Sequence, residues 1–205
     1  KGAKAEAASF DIDKASLADA EVFLGDMVYK KAGTYKSKLV ISVDGEAVAA
    51  GEYKLAYSDN GKVTLADGET EKTVTVTITS REKNFKAGSI NAAYKVSRNA
   101  DATDVSKAVV KLVVKGGNKK VSSVGYTGAP LTFNPSDDKR QADISVKIGK
   151  KVLTGAQVFE YFDVTYADNV LKGKGTIILT AKDTSGNPYS GMCSGKFTIS
   201  KRKIR

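Results

Sequence analysis

The residues able to do chemistry are few and poorly matched to one another. The 205-residue sequence contains no histidine, which excludes Ser-His-Asp and Cys-His catalysis, imidazole metal ligation and a histidine pH switch. Cys193 is the one cysteine, so no disulfide can close within the chain. It falls on the apolar parity of an alternating stretch, the place of a small hydrophobe rather than a nucleophile. Carboxylates pair at Asp137-Asp138 and recur at Asp163, positions that read as a turn and an exposed strand face, not as the flanking acids of a glycosidase. Asp59, Asn60 and Asp67, or Asp168 and Asn169, could offer oxygens to calcium, but they lack the regular acidic spacing of a metal loop. Turn formation accounts for them. Gly173-Lys174-Gly175 precedes a strand instead of opening a helix, so no phosphate cradle is expected. The chain reads as a non-enzyme, with no catalytic, cofactor or metal residues.

What remains is charge. Lys and Arg number 33 against 23 Asp and Glu, a formal charge of +10 with a pI near 9.5. Such a balance suits anionic neighbours such as wall polymers, acidic glycans, nucleic acid or lipid headgroups, or serves simply as a solvated lysine surface. Lys111, Lys115, Lys119 and Lys120 form the densest basic run, and Lys111, Lys115 and Lys119 are the candidate ligand contacts. No aromatic side chains interleave with them, so nucleic acid is not an expected partner. The longest apolar runs, such as Ile177-Ile178-Leu179, fall far short of the roughly 18 residues a bilayer span requires, so no membrane insertion is expected of this fragment. Lys1 starts no signal peptide, which suggests a mature fragment.

The elements that must carry these residues are short strands, and they come twice. Tyr53 to Asn60 and Phe162 to Asn169 share one recipe, alternating apolar and polar residues that stop on Asp-Asn, a half-buried strand running into a turn. Tyr166 lies 109 residues after Tyr57, and Asn169 lies 109 after Asn60. Ile41-Ser42-Val43 before Asp44-Gly45 matches Ile144-Ser145-Val146 at an offset of 103; Asp44-Gly45 and Gly149-Lys150 then mark two hairpins. The second copy is six residues longer after its hairpin, which predicts an enlarged loop over 152–161. Val74, Val76 and Ile78 alternate with Thr73, Thr75, Thr77 and Thr79, an apolar face and a wet one. Its counterpart, Thr176 to Ala181, is apolar throughout and so expected to be covered on both faces. Ile90, Ala92, Tyr94 and Val96 match Cys193, Gly195, Phe197 and Ile199 at 103. Buried equivalents are expected at Tyr57 and Tyr166, Val76 and Leu179, and Tyr94 and Phe197. A repeat of this length predicts two units in series: a leader over 1–9, a first unit over 10–98, a linker over 99–103 and a second unit over 104–205, stacked end to end.

The order of Tyr126-Thr127-Gly128, the hairpin from Val146 to Leu153, the strand end Tyr166 to Asn169, the Gly173 to Thr176 strand, Tyr189-Ser190-Gly191 and Phe197-Thr198-Ile199 resembles the tandem immunoglobulin-like repeats of bacterial, mostly Gram-positive, cell-surface proteins. The resemblance covers nearly all of the second copy. The first offers only Ala32-Gly33-Thr34 for Tyr-Thr-Gly and has 63–68 where the family has a tight Gly-rich connection. It implies an all-β chain of two tandem immunoglobulin-like antiparallel β-sandwiches. The implied role is a structural or adhesive spacer or stalk at the extracellular cell surface, with no catalytic residues to carry over. Its neighbours would be further domains of a longer chain. A glycan- or host-protein-binding module that uses the 61–69 or 152–161 loops is the alternative, since stalk and adhesin share a fold and differ in loops. A cross-link from Lys14 or Lys107 is not expected, because the last strands offer no Asn or Asp of suitable parity.

Overall fold

The computed structural model describes residues 14–98 and 101–201. The leader, the first residues of the first unit, part of the linker and the last four residues lie outside the described residues.

The fold is all-β; among the described residues the one α-helix is six residues long, α1 (Ala156–Tyr161). The first half comprises β1 (Glu21–Leu24), β2 (Met27–Val28), β3 (Gly33–Thr34), β4 (Leu39–Val43), β5 (Glu46–Ala47), β6 (Tyr53–Tyr57), β7 (Lys62–Val63), β8 (Glu71–Ser80) and β9 (Ser89–Ser97). The second comprises β10 (Thr103–Asp104), β11 (Val109–Val113), β12 (Val124–Gly125), β13 (Asp143–Ile148), β14 (Lys151–Thr154), β15 (Phe162–Ala167), β16 (Gly173–Ala181), β17 (Tyr189–Ser190) and β18 (Met192–Ser200).

Both halves use one strand order. Four strands form β2-β9-β8-β6 in the first and β12-β18-β16-β15 in the second; three form β1-β4-β5 and β11-β13-β14. The opening strand of each larger sheet runs parallel to the closing one, Met27 beside Val96 and Val124 beside Ile199. Alternation in the sequence sets which residues face inward: Val74, Val76 and Ile78 are buried while Thr73, Thr75 and Thr79 are exposed. The turns follow their residues too. Asp44 and Gly45 take positive φ of 52° and 77°, the requirement of a two-residue hairpin turn that Asp-Gly meets at low cost.

Three details of the repeat differ from expectation. Val76 sits opposite Tyr57, and Tyr166 sits opposite Ile177, so the counterpart of Val76 is Ile177 and that of Leu179 is Ile78. A slip of two residues keeps every side chain on its face, so alternation alone does not reveal it. The counterpart of Tyr126 is Tyr29, not Ala32-Gly33-Thr34: the Tyr29 and Tyr126 N–H groups donate to the carbonyls of Ser97 and Ser200. The enlarged loop is not a loop, because 152–154 belongs to β14 and the residues after Gly155 form α1, which drives Val158 into the core at 0% exposure.

The two halves are packed side by side, not stacked end to end. One core in the second half joins Leu112, Ile144 and Val146 to Ile177, Leu179 and Phe197. The first half closes around Ile41, Val76 and Ile78, and around Val63, Val74 and Tyr94. Between the halves lies a further cluster, Ala167, Ile178 and Met192 against Phe23, Val40 and Ala47. The four larger sheets therefore follow one another face to face, and the β12-β18-β16-β15 sheet is covered on both faces, as its continuous apolar run predicts. The backbones nearly touch: a Cβ on Gly25 would lie 2.3 Å from the Gly191 carbonyl carbon.

Candidate functional site

The three candidate lysines do not form one site. Lys111 projects from the middle of β11, opposite Ser145 on β13. Because Val110 and Leu112 point into the core, Lys111 faces outward. Lys115 lies in the turn after β11, where its Nζ donates to the Asp138 carbonyl at 3.1 Å. Lys119 is exposed farther along that turn, its carbonyl accepting from the Val114 N–H at 2.8 Å.

The turn is held down by the most buried ion pair described. Asp143 is 5% exposed; its Oδ1 accepts from Arg140 Nε at 2.7 Å and its Oδ2 from the Gly116 N–H at 2.8 Å. Burial pushes the Asp143 carboxyl up, but the Arg140 guanidinium and the Gly116 N–H outweigh it and hold the carboxyl below its ordinary range. The pair thus ties the 114–118 turn and the 137–140 segment over one end of the β11-β13-β14 sheet.

The other end of that sheet is open. Val109, Lys147 and Val152 lie side by side across the three strands, with Val109 59% and Val152 46% exposed. Lys111 lies one step along on the same face. Lys147, which the sequence search missed, is exposed, and among the described residues neither it nor Lys111 has a hydrogen-bond or ion-pair partner. Its signal was the alternation of Ile144, Val146 and Ile148, which turns Lys147 outward beside Lys111. A search along the chain for basic runs does not see neighbours across strands.

Other clefts offer less. Between the halves, an open cleft of roughly 360 Å³ is lined by Asp26, Asp163, Lys182, Asp183 and Asn187, but its polar groups are largely spent on structure. Asp26 Oδ1 accepts from the Lys95 N–H, Lys182 Nζ donates to the Phe159 carbonyl, and Asn187 Nδ2 donates to the Tyr161 and Lys182 carbonyls. No group of three metal-ligating side chains occurs among the described residues. Asp59 and Asn60 adopt left-handed φ of 48° and 55°, the conformation of a turn. Asp168 joins the halves: its N–H donates to the Gly45 carbonyl at 2.9 Å, and its Oδ1 accepts from the Ala47 N–H at 2.9 Å. The 61–69 segment contributes β7 and a turn; Arg98 donates to the Leu65 and Glu69 carbonyls and so closes it down.

Cys193 is 1% exposed and faces Leu179. Burial pushes its thiol up to about 12, against a small opposing pull from Lys38, so at neutral pH it is a protonated core side chain. Lys14 Nζ donates to the Glu82 carbonyl, and Lys107 is exposed.

No protein-family model matches the chain, and no curated protein matches it significantly.

Proposed function

We propose that this chain is a non-catalytic structural and adhesive module of a bacterial cell-surface protein. In this reading two immunoglobulin-like β-sandwiches, over 10–98 and 104–205, act as an extracellular spacer. The observation that carries the reading is the parallel pairing of opening and closing strands, β2 with β9 and β12 with β18. Tension along the chain then loads those ladder bonds in shear, so that they share the force instead of opening one by one. The repeated strand order, the absence of histidine and the use of buried polar groups for clamping the backbone support the same role.

Pulling the chain by its two ends tests this directly. The expected result is an unfolding force well above that found when one attachment is moved to the β4-β5 hairpin, which peels its strands. Equal forces in the two geometries would overturn the load-bearing role. Protease shaving of intact producing cells tests location: release only after lysis would overturn the surface assignment.

A further inference from the structure

The open end of the β11-β13-β14 sheet carries two lysines that have no hydrogen-bond or ion-pair partner among the described residues. Of the outward-facing residues on this sheet, Val113, Asp143 and Ser145 are buried, and Asp143 is already committed to Arg140 and Gly116. That leaves Val109, Lys147 and Val152 exposed, with Lys111 and Thr154 half-buried beside them. Lys147 is opposite both Val109 and Val152, and Lys111 is its diagonal neighbour, at a backbone separation of about 7–8 Å. Two lysines thus share one face with exposed valine side chains, and the one carboxylate on that face among the described residues, Asp143, is already committed. Like charges so placed repel, and an anionic occupant relieves that repulsion.

The four residues narrow the kind of anion. Polynucleotides use aromatic platforms for stacking or an element that enters a groove, and this face is a sheet surface whose outward residues include no aromatic side chain. A polyphosphate chain would satisfy the lysines but place oxygen against Val109 and Val152, leaving their apolar surface uncompensated. A polysaccharide bearing carboxylates or sulfates satisfies both, because its rings present C–H faces beside their charged groups. We propose that Val109, Lys111, Lys147 and Val152 form a binding face for a polyanionic polysaccharide. This rests on the surface-module reading and supplies its ligand class. It moves the ligand contact from the 111–119 run to a patch across strands, because Lys115 is tied to the Asp138 carbonyl.

The test uses the full chain and immobilised polygalacturonate at low and high salt. Wild type is expected to bind, and to weaken as salt screens the lysines. Lys111→Glu/Lys147→Glu is expected to bind far more weakly, by more than the roughly fivefold per lysine that simple loss of a surface cation brings. Lys54→Glu/Lys62→Glu changes net charge equally on exposed residues of the first half and is expected to bind like wild type. Thermal melts by circular dichroism verify folding, and Lys111→Gln/Lys147→Gln replaces the reversal pair if that pair unfolds. Absence of wild-type binding at low salt overturns the proposal. So does equal weakening by both reversal pairs, which would show net charge rather than a face. Equal retention of wild type on single-stranded DNA or long-chain polyphosphate also overturns it. The pulling experiment is independent of all these arms, so a failed ligand assignment is distinguishable from a failed spacer role.

Discussion

Gly25→Ala is the most direct probe of the side-by-side packing. Gly25 occupies no left-handed conformation, so the added methyl costs no backbone strain there; its cost is collision. The new Cβ would lie 2.3 Å from the Gly191 carbonyl carbon, 2.5 Å from the Met192 nitrogen and 2.7 Å from the Gly191 Cα. All three are backbone atoms of the opposite half, so no side-chain rotation relieves them. Ordinary contacts need about 3.5–4.0 Å, so the halves must part locally by roughly 1 Å. Ile178 and Met192 in the shared cluster are 0% and 2% exposed, and burying two such side chains is worth about 3–6 kcal/mol. A gap of that size forfeits up to about half of their contact, which gives a loss of up to about 1.5–3 kcal/mol, within the usual cost of overpacking. Each half keeps its own core, so the loss falls on their coupling. Calorimetry should show the wild-type transition lowered by about 5–10 °C and split into two, and small-angle scattering should show a longer particle. A variant whose melt and scattering superimpose on wild type would refute the packing.

Phe197→Ala should cost about 3–5 kcal/mol in a denaturant melt, because the ring is 6% exposed and packs edge-on to Phe133 with centroids 5.2 Å apart; a harmless truncation would contradict that core. Cys193 should resist thiol reagents at pH 8 until denaturant is added, and free-thiol rates in native buffer would show it accessible. Asp143→Ala should destabilise by about 3–5 kcal/mol, since it strands the Arg140 guanidinium. The Asp143 carboxyl is depressed in the folded state, so its contribution is present above the ordinary carboxylate range near pH 3.9 and is lost as pH falls through the lower folded value. The stability gap between wild type and Asp143→Asn should therefore be steady at neutral pH and shrink in acid, and a gap that widened in acid would reverse the sign.

Alternation and turn residues made much of the all-β architecture legible. They located the β4-β5 and β13-β14 hairpins, the inward faces of β8 and β18, and the burial of Cys193. They also marked the run from Thr176 as covered twice, but could not say by what, because periodicity reports which side of a strand is apolar and not what lies against it. Phe23 and Val40 looked like ordinary members of a half-buried strand pair, and only packing shows that they face Ile178 and Met192. Asp168 read correctly as a turn residue, yet its bonds to Gly45 and Ala47 depend on tertiary docking. Of the six extra residues of the second copy, four lengthen the β13-β14 hairpin, where Val146 pairs with Leu153 although its counterpart Val43 pairs with Glu46, and two enlarge the segment before β15, where α1 buries Val158; a count of inserted residues does not register how they divide.

Comparing equivalent faces explains why the halves meet where they do. In register, Ile178 and Met192 correspond to Thr77 and Ser89 of the first half, so the same position in the repeat is apolar where a neighbour covers it and polar where water does. The opposite partner surface behaves likewise. Phe23 and Val40, which dock, correspond to Val113 and Asp143, which the second half covers with its own turn through Arg140, Asp143 and Gly116. The interface is therefore written into one face of each copy, and the matching faces are closed by threonine or by a tethered turn. A third unit could not dock by the same contacts on either side without displacing that turn or burying Thr77 and its neighbours. On the β11-β13-β14 side this leaves the row of Val109, Lys147 and Val152, with Lys111 beside it, as the surface free to meet something other than another copy of the repeat.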